Sequence, residues 1–402
     1  MRSFIDLSEA NTDMTQKLYW EDAYATEFTA KIEAIEKEGI VLNKTLFFPL
    51  SGNQAGDKGI FIYQKEKSIV DSVFINNGKI FHQVSLEFKK KVKIGDIIIG
   101  RIDWQYRYGI MKAHTSQHIF SAIFLELCNT KTSRANIEFE EVSIQLENPI
   151  NDDQFRKALL KLNEICTLNN KVITAEIYHE EELSEITDKI RSEIPDKNEI
   201  RLIRINTLDL VCCGGTHLKQ SIEVGPVIVY EFKKGLDIKY YVGNKAIEFL
   251  SKINAEMLDL SSNLNTTLKK LTRKIQSSLN ELTQNKEFIE IMQEENLLLL
   301  SRSPNIVYKD FNIYKINHQI ETKIIKKIID EFPKDSLILL NLGGNRVQII
   351  SNSEKISANE IIQELIKKFG GKGGGSNFIA QSSLNHVPAE LISEVRRIIS
   401  EI

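Results

Sequence analysis

From Leu250 to Leu282 the apolar side chains Leu250, Ile253, Met257, Leu260, Leu264, Leu268, Leu271, Ile275, Leu279 and Leu282 recur at steps of three or four. A seam this narrow and this long predicts a two-helix arm or coiled coil rather than one layer of a globular core. The steps open as 3-4-3-4 and then drift from a heptad towards an eleven-residue repeat, which argues against strong left-handed supercoiling in the second half. Helical from Lys245 to Ser301, the arm would be on the order of 85 Å long at about 1.5 Å per residue, unless it folds back near Asn285. Such a rod divides the chain into a body before it and a body after it. With 402 residues and roughly 150 per domain, there is room for two to four domains, each with its own core.

Hydrophobic residues make up 42% of the chain and charged residues 27%, ordinary globular usage that excludes wholesale disorder and fibrous repeats. The 52 basic and 55 acidic side chains leave a net charge of -3, so any nucleic-acid site has to be a local patch. Met1 to Gln16 is polar, and no run approaches the roughly 18 apolar residues that cross a bilayer, so no membrane association and a cytoplasmic location are expected. Four cysteines, Cys128, Cys166, Cys212 and Cys213, two of them adjacent, make a poor disulfide framework. A cysteine that matters here is a metal ligand or a nucleophile.

The predicted fold class is α+β, in several domains. Short β-rich runs, Thr26–Ile35, Gly39–Phe48, Gly59–Tyr63, Ile69–Ile75 and Lys79–Glu87, predict a small antiparallel barrel or sandwich, with Asn76-Asn77-Gly78 as its clearest hairpin turn. Pro49 to Gly59 is a glycine-bearing loop between two of these strands. Met111 to Leu127 has helical periodicity, Asp152 to Leu168 is a second helix, and one sheet is expected from Ala135–Glu147, Val172–Tyr178 and Ile200–Leu210. Beyond Pro304, strands and helices alternate through Asn312–Ile316, Lys323–Phe332, Ser336–Asn341, Arg346–Ser351, Ser357–Phe369 and Ala389–Ile402. The division expected is a barrel over 1–100, a second domain over 101–243, the arm over 244–301 and an α/β domain over 302–402.

His114 and His118 lie four apart on the predicted helix, so both imidazoles occupy one face. Thr115 stands where a metalloprotease helix needs Glu. About a hundred residues later comes Cys213-Gly214-Gly215-Thr216-His217, in which glycines permit a tight turn that brings thiolate and imidazole to one point. Three imidazoles and a thiolate are the donor set that favours tetrahedral Zn²⁺. Either half alone reads as surface or core residues; together they predict a metal site, with Cys212 a core residue or an alternative ligand. His82, His179, His318 and His386 have no partner at ligand spacing and read as structural or surface groups. If all four ligands bind, the metal is closed, whereas hydrolysis needs a position for water or substrate.

Ile102 to His118, followed by Cys213-Gly214-Gly215-Thr216-His217, resembles the editing domain of alanyl-tRNA synthetases and of their free-standing relatives, the AlaX proteins. Pro49 to Gly59 resembles the family's glycine-rich loop, with Gln54 matching its glutamine, and Asn53 and Ala55 standing where Gly and Pro are usual. Gly370-Gly371-Lys372-Gly373-Gly374-Gly375, after Phe369, resembles the signature of the C-terminal DHHA1 domain, although Ser376, Asn377 and Phe378 replace an Arg-Pro-Asp-like stretch. Glycine-rich backbone beside a lysine can approach phosphate closely. Asp-His-His is absent and the chain opens at the barrel, so the likeness is to a long-form AlaX protein rather than a synthetase or a DHH phosphoesterase.

The resemblance implies a zinc-dependent hydrolase that cleaves, in trans, the ester joining serine or glycine to tRNA(Ala). Its ligands are His114, His118, Cys213 and His217, and Gln54, Thr115 and Thr216 are candidates to serve catalysis by binding the hydroxyl that separates serine from alanine. Gly370 to Gly375 would contact tRNA, and the arm or the C-terminal domain would pair two copies. Two other readings stand beside it: a non-catalytic tRNA-binding protein with a structural zinc, and editing of another aminoacyl-tRNA.

Overall fold

The computed structural model describes residues 15–179, 182–183, 186–196, 199–316 and 320–401. Most of the polar N-terminal stretch, His318 and Ile402 lie outside the described residues. Two compact bodies result, Met1–Asp259 and Leu260–Ile402.

The first body opens with β1 (Gln16–Lys17), α1 (Leu18–Glu21), β2 (Glu27–Ile35), β3 (Ile40–Leu42), β4 (Lys44–Thr45), β5 (Gly59–Tyr63), β6 (Glu66–Val70), β7 (Ser72–Asn76), β8 (Lys79–Gln83), α2 (Leu86–Lys91) and β9 (Ile97–Ile102). Seven of these strands form an antiparallel sheet ordered β6-β5-β9-β2-β3-β8-β7. Phe28, Ala30 and Ile32 of β2 alternate inward and meet Ile98 and Ile102 of β9 around one core, as the period-two pattern dictates. The hairpin turn falls where expected, with Asn77 and Gly78 both at positive φ between β7 and β8. Two runs break differently from the expectation. Asp71 divides Ile69–Ile75 into β6 and β7, and the Ser85 hydroxyl accepts from Phe88 N, starting α2 where a strand was predicted to continue.

The body continues through α3 (Trp104–Cys128), β10 (Thr132–Glu138), β11 (Glu141–Leu146), α4 (Asp152–Thr167), β12 (Ile173–His179), β13 (Glu199–Ile205), β14 (Asp209–Cys212), β15 (Val227–Lys233), β16 (Asp237–Val242) and α5 (Gly243–Asn263). Helix α3 starts at Asp103, whose carboxylate accepts from Tyr106 N, and is buried on every side from Ile110 to Phe124. A helix covered on all sides is a central one, and the buried polar groups among these residues, His114 to His118 and Ser121, are gathered on it. Gly109 sits inside it because the ring of Phe139 occupies the space a Cβ would need, 2.4 Å away. The single sheet expected beside α3 is two: β10-β11-β16-β15 and β12-β13-β14. Residues 135–147 turn back on themselves at Glu140, which has φ 50°, and β11 then pairs with β16, almost a hundred residues away. Periodicity identifies a strand but carries no information about its partner.

The second body contains α6 (Leu271–Ser301), β17 (Ile306–Tyr308), β18 (Phe311–Ile316), α7 (Thr322–Ile328), β19 (Ser336–Gly343), β20 (Arg346–Ser351), α8 (Ala358–Phe369), β21 (Gly371–Gly375), β22 (Ile379–Leu384) and α9 (Leu391–Glu401). Its sheet runs β17-β18-β19-β20-β22-β21; α8 and α9 cover one face, while α7 and the end of α6 cover the other. The helical stretch after Gly243 is interrupted not near Asn285 but at 264–267, where Asn265 takes φ 48°, so no single helix runs from Lys245 to Ser301. The glycine-rich segment is the edge strand β21. A Cβ at Gly371, Gly373 or Gly375 would stand 2.1–2.2 Å from a carbonyl oxygen of β22, so close strand approach itself requires these glycines. Among the described residues no helix is long and apolar enough to cross a membrane.

Candidate metal centre

Helix α3 carries His114 and His118 on one face, and the turn after β14 carries Cys213 and His217. All four ligand atoms lie within 4.8 Å of one another. His118 Nε2 is 3.2 Å from His114 Nε2, and Cys213 Sγ is 3.4 Å from His114 Nε2 and 3.2 Å from His217 Nε2. Donor atoms held about 2.0–2.3 Å from one tetrahedral zinc ion stand at roughly such spacings. Gly215 makes this convergence possible, since a Cβ there would sit 2.3 Å from His114 Cε1 and 2.5 Å from Gln54 Oε1.

The rings are oriented from behind. Gln54 Nε2 donates to Thr216 Oγ1 at 3.0 Å, and Gln54 Oε1 accepts from Thr216 N at 3.1 Å. That fixes the carboxamide, so the 2.6 Å contact from Gln54 Oε1 to His114 Nδ1 is a hydrogen bond donated by the ring, leaving Nε2 free to bind a metal. Thr115 Oγ1 accepts from Leu218 N at 3.1 Å and lies 3.5 Å from His217 Nδ1. Gln54, Thr115 and Thr216 are fully buried behind the ligands, and none of the three lines the pocket in front of them.

The loop that delivers Gln54 is tied down at both ends. Ala55 N donates to Ile137 O and Ile137 N to Asn53 O, pairing it with β10. Gly52 and Asn53 both take positive φ, and Asn tolerates the left-handed region better than other non-glycine residues, so Asn53 can stand where the family has glycine. At its far end Asp57 forms a two-pronged ion pair with Arg107 of α3, and both side chains are wholly buried. The same guanidinium donates to the carbonyls of Ala23 and Leu46.

Sequence spacing gave no sign of this clamp or of two further arginines. Arg201 of β13 donates from Nη1 to the carbonyls of Cys213 and Gly215, both at 2.8 Å, and so holds the ligand turn. Arg191 reaches Asp209 at 2.7 and 2.9 Å and lies 3.3 Å from His118 Nδ1. When His118 Nε2 serves as a ligand its Nδ1 carries the proton, so that last contact has to lengthen on metal binding.

Burial is the main force on the cluster's protons. It lowers His114 to about 3, with Arg201 adding to the shift, and it holds His118 and His217 well below the usual imidazole value. These rings are therefore neutral, the state that binds metal. Burial raises the Cys213 thiol to about 11, against the opposing effects of Gly215 N–H, Arg201 and Arg191. A cation bound at the cluster would supply the charge that ionises it. The donor set, its convergence and the ring orientation fit a bound metal ion.

In front of the ligands lies a pocket of about 330 Å³, walled by Phe48, Gly52, Asn53, Ala135 and Ile137 and also lined by Gln117, Arg134 and Arg191. No described residue lining it is acidic. Cys212 lines the pocket but is not one of the four clustered residues. Of the other described histidines, His82 is buried in the barrel, and His179 and His386 are exposed.

A family model described as tRNA synthetases class II (A) matches residues 7–106. The chain is 30% identical over 398 residues to alanyl-tRNA editing protein AlaX-L of Pyrococcus horikoshii, covering 94% of this chain and 96% of that one. It is 30% identical over 222 residues to alanyl-tRNA editing protein AlaX-M of Methanosarcina mazei, covering 52% of this chain and 88% of the relative. It is 28% identical to an alanine-tRNA ligase of Sulfurisphaera tokodaii over 93% of this chain, which spans only 42% of that enzyme. Among solved structures, the C-Ala domain from Aquifex aeolicus alanyl-tRNA synthetase matches 24% of this chain at 21% identity and a TM-score of 0.20.

Proposed function

The chain belongs to the family of alanyl-tRNA editing proteins, and from that membership we propose that it is a zinc-dependent hydrolase acting in trans on mischarged tRNA(Ala), with a serine or glycine ester as substrate. The observation that carries the reading is the convergence of His114, His118, Cys213 and His217 beneath a pocket without carboxylates. Zn²⁺ held there would supply Lewis-acid polarisation or a water of lowered pKa.

The chain's own residues supply position. Gln54 sets the tautomer and angle of His114, Thr216 fixes Gln54 in turn, and Thr115 lies beside His217 Nδ1. Arg201 holds the Cys213 turn against β13. The exposed Arg134 brings positive charge to the pocket lining, which suits the phosphate-bearing 3′ end of a tRNA, whereas Arg191 is paired with Asp209.

We divide the protein into a barrel (1–100), an editing domain (101–243), a helical arm (244–301) and a DHHA1-like domain (302–402), and assign it to the cytoplasm. The exposed Lys372 among Gly370, Gly371, Gly373, Gly374 and Gly375 supports tRNA contact by the last domain. Leu279, Leu282 and Ile289 stand exposed along α6 and support a homodimer formed through it.

The experiment is release of serine from Ser-tRNA(Ala), with Ala-tRNA(Ala) alongside, by protein of known zinc content. Rapid serine release with alanine spared is expected. No release from either, with zinc bound and tRNA retained, would replace the hydrolase with a tRNA-binding protein whose zinc is structural, or redirect it to another aminoacyl-tRNA.

A further inference from the structure

Gln117 lies between the two helical ligands in sequence and, three residues after His114, is that residue's neighbour on the surface of α3. It is 93% buried, being 7% exposed, yet it lines the pocket in front of the cluster. Its Nε2 donates to Ser121 Oγ at 2.9 Å, and Ser121 Oγ is itself 2.8 Å from Thr132 Oγ1. No described residue hydrogen-bonds the carboxamide oxygen. Whichever way the carboxamide is turned, one end is used on Ser121 and the other is left for an occupant of the pocket. Unlike Arg201 Nε, this free end is not sealed from solvent: it opens on the pocket, where an occupant can replace water as its partner.

The pocket limits what that ligand group is. Its charged lining residues are Arg134 and Arg191, Arg191 being paired with Asp209, and no acidic residue lines it. A neutral hydroxyl needs no charged partner, and it can give or take a hydrogen bond to suit either end of a carboxamide. A methyl group can do neither.

We propose that Gln117 is the residue that reads the side-chain hydroxyl of the esterified amino acid, and that its carboxamide is what separates serine from alanine. This rests on the editing reading above. Gln54, Thr115 and Thr216 are spent on the metal ligands or on each other and have no free group in the pocket.

The test compares tRNA(Ala) charged with serine and with 2-aminobutyrate, in which a methyl replaces the hydroxyl. The metal-loaded protein is expected to release serine at least about 100-fold faster. Gln117→Met is expected to shrink that ratio roughly 10- to 100-fold while bound metal per chain stays unchanged. Equal release of the two by the unaltered protein overturns the hydroxyl reading without any variant, and an unchanged ratio in Gln117→Met overturns the assignment to this residue. Absence of release from either substrate by the unaltered protein would instead bring down the editing reading, and this inference with it.

Discussion

The carboxamide oxygen of Gln54 lies 2.6 Å from Nδ1 of His114, joining the barrel loop to α3 across sixty residues of sequence. Because the ring donates, the bond selects the tautomer whose Nε2 faces the other ligands. Gln54→Leu removes the acceptor at similar volume and is expected to weaken metal binding about 10- to 100-fold. Competition with a chromophoric chelator measures this, and an unchanged affinity would remove the orienting role.

Loss of a ligand and loss of the space between ligands should converge on one phenotype. His118→Ala is expected to leave the metal substoichiometric and to abolish deacylation. Gly215→Ala, which sets a Cβ against His114 and Gln54, is expected to do nearly the same without touching a ligand atom. Normal metal content and activity in both variants would sink the site.

Arg107 and Asp57 face one another with no exposure to water. Removing one partner of such a pair leaves an uncompensated buried charge, so Arg107→Met is expected to cost about 3–5 kcal/mol in urea unfolding. The double change Arg107→Met with Asp57→Leu should recover much of that loss. A single variant as stable as the parent would show that the clamp contributes little.

His82 sits in the barrel core, donating from Nδ1 to Ile40 O and accepting from Thr45 at Nε2, and burial lowers its pKa to about 4. The unfolded chain takes up a proton near pH 6.5, where the folded chain does not. The stability held at neutral pH is therefore complete above about 6.5 and lost as pH falls towards 4, by about 3 kcal/mol from this residue. His82→Gln should be less stable at pH 7 yet lose less between pH 7 and 4.5; parallel pH profiles for variant and parent would contradict this.

If the second body grips tRNA, ending the chain after Asn263 should weaken tRNA(Ala) binding at least about 10-fold while leaving the metal in place. Filter binding at fixed salt reads the affinity. An unaltered value refutes the role given to β21 and its lysine.

What the sequence alone determined is what short-range geometry encodes. The spacing of four between His114 and His118, the glycines between Cys213 and His217, the Asn77-Gly78 turn and the period-two strands of the barrel each have one favoured local conformation, and each folds that way. Convergence of the two ligand pairs was legible because few residue sets other than a metal site explain them together. The tertiary structure decided what depends on the path of the chain between those segments: that β11 pairs with β16 and that Gly371, Gly373 and Gly375 fit against β22. It also decided that Gln54 aims at His114, and that Gln117, Arg191 and Arg201 gather around the cluster. None of these contacts has a periodic signature, because a side chain's partner sixty or a hundred residues away is set by packing and not by the local dihedral preferences that a sequence displays.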